Sequence, residues 1–417
     1  MSGISAGVWA KAALLVYLTL LCNIAFGQAI PSVQLVWTYE APRSIRTVSL
    51  SSDGSRALSA GDGFVVLIDA STGKPLWVYT GAAKVNSATV SATGRFVVAG
   101  AESAELIDFN SRSSQPIWSA SVDGAVLSTA ISRNEHFIAA GVFFGTIYLF
   151  RQNSSTPVLT HRGEGTTLSV DLSNNGTLLV AGTYSRKVML FNSTAGRLVW
   201  AYNTRDTVDS VAMSGDGARI IAGTNGGQAL IFGGRNPTPL LTLSSQGAVR
   251  SVSISADGRR AIGGGQDSAI LLFDATLGRL VGNFTANGVI DSSAISADGA
   301  VEVAGDLAGY LYVFQNNSST PSTIHVGFPV LSTAVSADGS MILAGGGTKL
   351  EYYRLSSSNV TSTSTFAKAP QSTSPTAFYI AAILALALLL ALLLVRKRLK
   401  YDHSRATPLS ASAKGKC

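Results

Sequence analysis

Between residues 28 and 376 the sequence has no cysteine; its two cysteines are Cys22 and Cys417. That stretch therefore holds no disulfide, no thiol nucleophile and no cysteine-ligated metal. Charge is scarce as well. Charged residues are 13 % of the chain, against roughly 25 % in ordinary soluble domains. Histidine is nearly absent: His136, His161 and His325 are the ones in this stretch, and no two stand at metal-ligand spacing. No helical periodicity runs through it, and no G-x-S-x-G, P-loop or dinucleotide fingerprint follows a strand and opens a helix. No catalytic residue, metal or cofactor is assigned. The formal charge of +7 does not describe this stretch either. Arg396, Lys397, Arg398, Lys400, Arg405, Lys414 and Lys416 follow the last apolar run, with Asp402 as their one acid, and Lys11 precedes the first. Residues 28–376 keep 23 bases and 23 acids, which removes the electrostatic case for a nucleic-acid partner.

The two ends carry the long apolar runs. Residues 1–27 have the form of a secretory signal: Lys11, an apolar stretch from Ala12 to Cys22, and small residues at Ala25 and Gly27, with cleavage expected before Gln28. An uncleaved anchor is the other reading of this run. Residues 377–395, AFYIAAILALALLLALLLV, contain no charge and are close to the ~20 residues a spanning helix needs. The bases of RKRLK follow at once, which by the positive-inside rule puts residues 396–417 in the cytoplasm and the rest outside. Residues 356–376 are rich in Ser and Thr, with Pro370 and Pro375. Such a segment buries no core and is expected to be a stalk. The expected location is a cell membrane, crossed once.

The middle is periodic. A serine recurs at Ser51, Ser91, Ser132, Ser173, Ser214, Ser255, Ser296 and Ser336, every 40 or 41 residues. Three residues on comes a turn glycine (Gly54, Gly94, Gly176, Gly217, Gly258, Gly299, Gly339), and only Glu135 breaks that column. Asp-Gly and Asn-Gly pairs here suit the positive φ of tight hairpins. Each unit has four short strand patterns, the second ending on Ala-Gly in most units, as in Ala60-Gly61 and Ala222-Gly223. Gly263-Gly264-Gly265 and Gly345-Gly346-Gly347 are expected in hairpin turns. A single sheet of this kind leaves its faces unburied, whereas stacking eight around an axis buries them. The expected fold over residues 28–355 is an all-β, eight-bladed β-propeller. Unit eight lacks a fourth strand after Glu351-Tyr352-Tyr353, and Leu35-Val36-Trp37-Thr38-Tyr39 nearly duplicates the fourth strand Leu198-Val199-Trp200-Ala201-Tyr202. Residues 33–40 are therefore expected to close the last blade.

The Ser-x-Asp-Gly turn and its period resemble WD40-type propellers. Leu67-Ile68-Asp69-Ala70-Ser71-Thr72-Gly73-Lys74-Pro75-Leu76-Trp77 resembles the tryptophan-docking repeat of quinoprotein-like (PQQ-type) propellers, which are often eight-bladed, and Phe273-Asp274-Ala275-Thr276-Leu277-Gly278 repeats its first half. Departures accompany the likeness. No Gly-His opens a unit and no Trp-Asp closes one. The adjacent cysteine pair of the quinone-cofactor dehydrogenases is missing. The resemblance implies the fold and carries little about function.

One column varies where the others are regular. At the expected channel rim stand Arg46, Asn86, Leu127, Leu168, Asp209, Arg250, Asp291 and Leu331, with Arg43, Lys84, His161, Arg162, Glu164, Arg205 and Asp206 in nearby loops. Arg46, Asp209, Arg250 and Asp291 are the candidate ligand-binding residues; exposed ion pairs on a solvated rim are the other reading. Glycosylation sequons at Asn153, Asn175, Asn192, Asn283, Asn316, Asn317 and Asn359 are expected in loops and turns. Three functions fit: a surface module that binds a protein, glycan or envelope component; a quinoprotein-like enzyme; or a sensor whose short tail recruits an intracellular partner. The orientation has a direct check. Protease treatment of intact cells should release a large soluble fragment and leave a C-terminal epitope protected; loss of that epitope would invert the topology.

Overall fold

The structure is a computed structural model, which describes residues 32–81, 83–316 and 318–356. The leader, the Ser/Thr-rich segment, residues 377–395, the tail, Asn317 and Asn359 lie outside the described residues. Those described form eight antiparallel four-stranded sheets. Blade one is representative, with strands Ile45–Leu50, Arg56–Gly61, Phe64–Asp69 and Lys74–Tyr79 in spatial order. Its second and third strands are buried almost throughout, because both of their faces meet neighbouring blades. Runs such as Val65-Val66-Leu67-Ile68 are accordingly continuous rather than alternating. Fourth strands form the outer wall and expose most of their residues. In each blade the repeated serine clamps its own turn. Its Oγ accepts the N–H five residues on, from Ser51 with Arg56 to Ser336 with Met341, at 3.0 or 3.1 Å in all eight.

A second serine column ties the blades together. Ser87, Ser128, Ser169, Ser210, Ser251, Ser292 and Ser332, on the innermost strands, each accept a backbone N–H from the next blade's innermost strand at 2.8–3.3 Å. Blade one has Thr47 in that column, and Ser49 takes the N–H of Val90 at 3.2 Å instead. At the turn end, backbone bonds such as Gly215 N–H to Ala256 O (2.9 Å) and Ala337 N–H to Ser52 O (2.8 Å) link neighbouring turns. Between blades two and three the carboxylate of Glu135 does this instead, accepting the Thr93 N–H at 3.0 Å. Glu135 holds φ 59° to do so, the conformation that glycine supplies in the other seven turns.

The ring closes as its sequence suggests. Val33–Glu40 pairs antiparallel with Lys349–Leu355, opposing Trp37 to Tyr352. The two rings stack at 4.9 Å, and the Trp37 indole N–H donates to Ala70 O of blade one at 2.7 Å. Ser32 and Ser356 are bonded to each other, so the two chain directions leave one blade. The glycine triplets differ from expectation. Gly263–Gly265 and Gly345–Gly346 end second strands, and only Gly347 is in a hairpin. The reason is close approach: a Cβ at Gly265 would strike Ala248 O, and one at Gly346 would strike Pro329 O. Two sequons also depart from loops, since Asn192 ends a third strand and Asn283 lies within the fourth strand Arg279–Thr285.

One buried position breaks the apolar pattern. Asp108 is fully buried where the other blades have Leu67, Leu149, Leu190, Ile231, Leu272, Val313 and Tyr352. The Gln152 amide donates to both its carboxyl oxygens at 2.9 Å, while Gln152 Oε1 has no partner. Burial pushes the Asp108 carboxyl up to about 7, partly opposed by Gln152.

Two expectations follow. Trp37→Ala should destabilise by ~3–5 kcal/mol, read as a lowered melting temperature; an unchanged value would show that residues 33–40 do not hold the ring closed. For Asp108, the folded form binds a proton more tightly than the unfolded chain, so stability falls as pH rises from about 4 to 7. The loss is on the order of 4 kcal/mol above that window. Asp108→Asn, which cannot ionise, should melt higher than wild type at pH 8 and converge with it near pH 4. Parallel pH profiles would exclude Asp108 as the titrating group.

Candidate functional site

Antiparallel pairing sets the two ends of the ring. Ile45 at the start of blade one's first strand faces Gly61 at the end of its second. First-strand starts, hairpins between second and third strands, and interblade linkers thus share one end, the entry face. The serine-clamped turns share the other. The rim column lies on the entry face, two residues along from each linker's end.

The structure brings three of the four candidate residues together. Arg250 Nη1 is 3.4 Å from Asp291 Oδ1 of the next blade. Asp209, one blade back, also feels the Arg250 charge. Burial pushes its carboxyl up to about 6, Arg250 opposes that, and Asp206 adds to it. Arg46 stands apart, turned to Asp62 of its own blade's hairpin at 2.8 Å. In the same column Asn86 donates to Val126 O of the next blade at 3.1 Å. Lys84 pairs with Glu102 at 3.4 Å and Arg43 donates to Asp62 O at 3.4 Å. The ion pairs among these are substantially solvent-exposed, and their contribution to stability is accordingly small.

Beside the charged sector lies an apolar one that the rim column does not reveal. Most hairpins on this face carry turn residues, such as Asp62-Gly63 and Asn225-Gly226-Gly227. Blade three has Phe143-Phe144-Gly145, with Phe143 52 % and Phe144 66 % exposed, and blade four has Tyr184, 64 % exposed. The two phenylalanine rings meet edge-on at 5.3 Å. Both hairpins flank the linker Gly163-Glu164-Gly165: Gly163 N–H donates to Gly145 O at 3.2 Å, and Ser185 lies against Gly165. Around them are Arg162, Arg186 and Lys187, the last 3.8 Å from Glu164. Leu127 and Leu168 stand in the rim column of these same two blades, and both are part-exposed. The signal was in the sequence: an aromatic pair in a column of turn residues.

The histidines do not converge. His136 sits in a turn, His161 packs edge-on against Phe191 at 4.8 Å, and His325 lies against Tyr310 at 4.7 Å. Burial, and secondarily Lys187, hold the His161 imidazole below its usual range. Among the described residues no three His, Cys, Asp or Glu side chains group as metal ligands. The turn end of the channel is a polar cavity of about 320 Å³ lined by all eight blades. Asp171 lines it, its carboxylate taking the N–H groups of Leu172 and of Met213 in the next blade, each at 2.8 Å. Burial pushes that carboxyl up to about 6. Asp171 therefore serves as a further interblade tie.

Residues 30–170 match a PQQ-type repeat family described as outer membrane protein assembly factor BamB. Residues 237–274 match the WD domain, G-beta repeat. No curated protein matches the chain. The first match covers the closing strand and blades one to three, where Trp37, Trp77 and Trp118 dock. The second starts at blade five's fourth strand and ends with blade six's third, Ala269–Asp274. The chain is thus an eight-bladed β-propeller whose repeats are similar to the PQQ-type and WD families.

Proposed function

We propose that this chain is a protein-recognition propeller that binds through its entry face and is displayed outside the cell on a membrane anchor at residues 377–395. The observation that carries the first part is the exposed Phe143, Phe144 and Tyr184 group beside the Asp209, Arg250 and Asp291 sector. Large exposed aromatics next to a polar rim are the make-up of a protein-binding hot spot. Propellers of both matched families suit a scaffold role. The family similar to residues 30–170 is described as an outer membrane protein assembly factor, which supports an envelope protein as the partner. A glycan is the second ligand class compatible with the charged sector. The display outside rests on the sequence alone, on the leader and on RKRLK after the apolar run.

Site-directed photo-crosslinking in intact cells tests the face. A benzoylphenylalanine at Tyr184 should give a discrete protein adduct, and one at Leu240, on the outer wall, should not. Replacing Phe143 and Phe144 by Ser should cut the adduct about tenfold or more with an unchanged melting curve. Charge reversal of Asp209, Arg250 and Asp291 together should weaken it as well. Equal adducts from both positions, or indifference to all five substitutions, would refute the reading.

A further inference from the structure

The sequons are spread unevenly over the ring. Antiparallel order puts two sets of loops at the turn end: the serine-clamped turns, and the hairpins between third and fourth strands. The two sets bond to one another, as in Ser193 N–H to Thr177 O and Asn316 N–H to Ala300 O, both at 2.9 Å. Asn153, Asn192 and Asn316 stand at these hairpins in blades three, four and seven, and Asn175 stands in the clamped turn of blade four. Asn283 is inside the fourth strand of blade six, on the outer wall.

The entry face has asparagines of its own, and none begins a sequon. Asn86 is followed by Ser-Ala, Asn203 by Thr-Arg, Asn225 by Gly-Gly and Asn287 by Gly-Val. Along the chain these are interspersed with the sequons, so the division exists only in the folded ring. Exposure separates the described sequons further. Asn153, Asn283 and Asn316 are exposed, and an exposed carboxamide leaves room for a bulky saccharide. Asn192 is half-buried, with its Oδ1 taking the Ala195 N–H at 2.7 Å. Asn175 Oδ1 accepts the Thr177 N–H at 3.0 Å and closes its turn.

We infer that Asn153, Asn283 and Asn316 are N-glycosylation sites, whose saccharides cover the turn end and outer wall and leave the entry face bare. This rests on the display outside the cell proposed above. In the transfer, the asparagine Nδ2 forms a bond to C1 of an oligosaccharide and loses a proton. The bond from C1 to the oxygen of a lipid-linked pyrophosphate donor breaks, and the lipid pyrophosphate leaves with that electron pair. The hydroxyl of Ser155, Thr285 or Ser318 completes each acceptor sequence. A saccharide beside Phe143, Phe144 and Tyr184 would hold a protein partner off. On the other surfaces it leaves the partner free to approach, so the one-sided cover marks the face that binds.

The test uses the full-length protein purified from its native membranes. Mass spectrometry of its peptides should find saccharide mass on Asn153, Asn283 and Asn316, and Asn→Gln at each should remove it. A second sample carries Glu164→Asn, which makes an Asn-Gly-Thr sequon with Gly165 and Thr166 on the entry face, between the two aromatic hairpins. The Glu164 side chain is 89 % exposed there. This variant should gain one glycan and lose the Tyr184 photo-adduct. Glu164→Asn combined with Thr166→Ala has no sequon and should gain no glycan and keep the adduct. All three natural sites bare, with a glycan on Glu164→Asn, would overturn the proposal, since the transferring enzyme reached the chain and passed them by. No glycan on either sample would overturn it too, and protease access in intact cells would then tell whether the display outside falls with it. A glycosylated Glu164→Asn protein that still gives the adduct would sink the entry-face reading and leave the three sites standing.

Discussion

Every blade of a closed ring has an innermost strand with one edge unpaired, and those eight edges face the channel together. Their N–H groups need acceptors, because an unpaired buried donor costs roughly 1–3 kcal/mol. The serine on each inner strand meets that need across the blade boundary, from Ser87 to Thr129 and on to Ser332 and Val48. Hydrophobic contact between blades is non-directional and would tolerate sliding. The hydroxyl-to-backbone bond is directional. It fixes how far each sheet is turned and shifted against the next, and the rest of the ring inherits that spacing.

Where a junction departs from this scheme, another group does the same job. Ser49 replaces Thr47, and Glu135 accepts at the turn where the backbone link is missing; at the blade four–five junction Asp171 adds a carboxylate tie to Met213 beside the Ser169 bond. These substitutions keep the ring intact and mark structure rather than recognition. The departures without a compensating bond are different. Phe143, Phe144 and Tyr184 gain little from being exposed on hairpins. Repeat symmetry makes such exceptions visible, since seven other blades show what folding alone requires at each position.

The entry face joins an apolar sector on blades three and four to a charged sector on blades five to seven, a broad surface suited to a folded partner.

The sequence by itself determined the strand pattern, the repeat length, the count of eight and the closure by residues 33–40. Each of these is a one-dimensional regularity: a serine every 40 or 41 residues, a turn pair, and a fourth strand missing at one end and spare at the other. It also marked Arg46, Asp209, Arg250 and Asp291 as irregular, but not their pairing. Tertiary structure decided that Arg250 meets Asp291 while Arg46 turns to Asp62, because a rim side chain chooses among partners on adjacent blades. It decided that Gly263–Gly265 lies in a strand, since a Cβ at Gly265 would strike Ala248 O, just before the same blade's first strand, and one at Gly264 would strike Ile290 of the next blade. The burial of Asp108 and Glu302 depends on what the neighbouring blade brings, Gln152 and Arg260, about forty residues away in sequence and within bonding distance only in the closed ring.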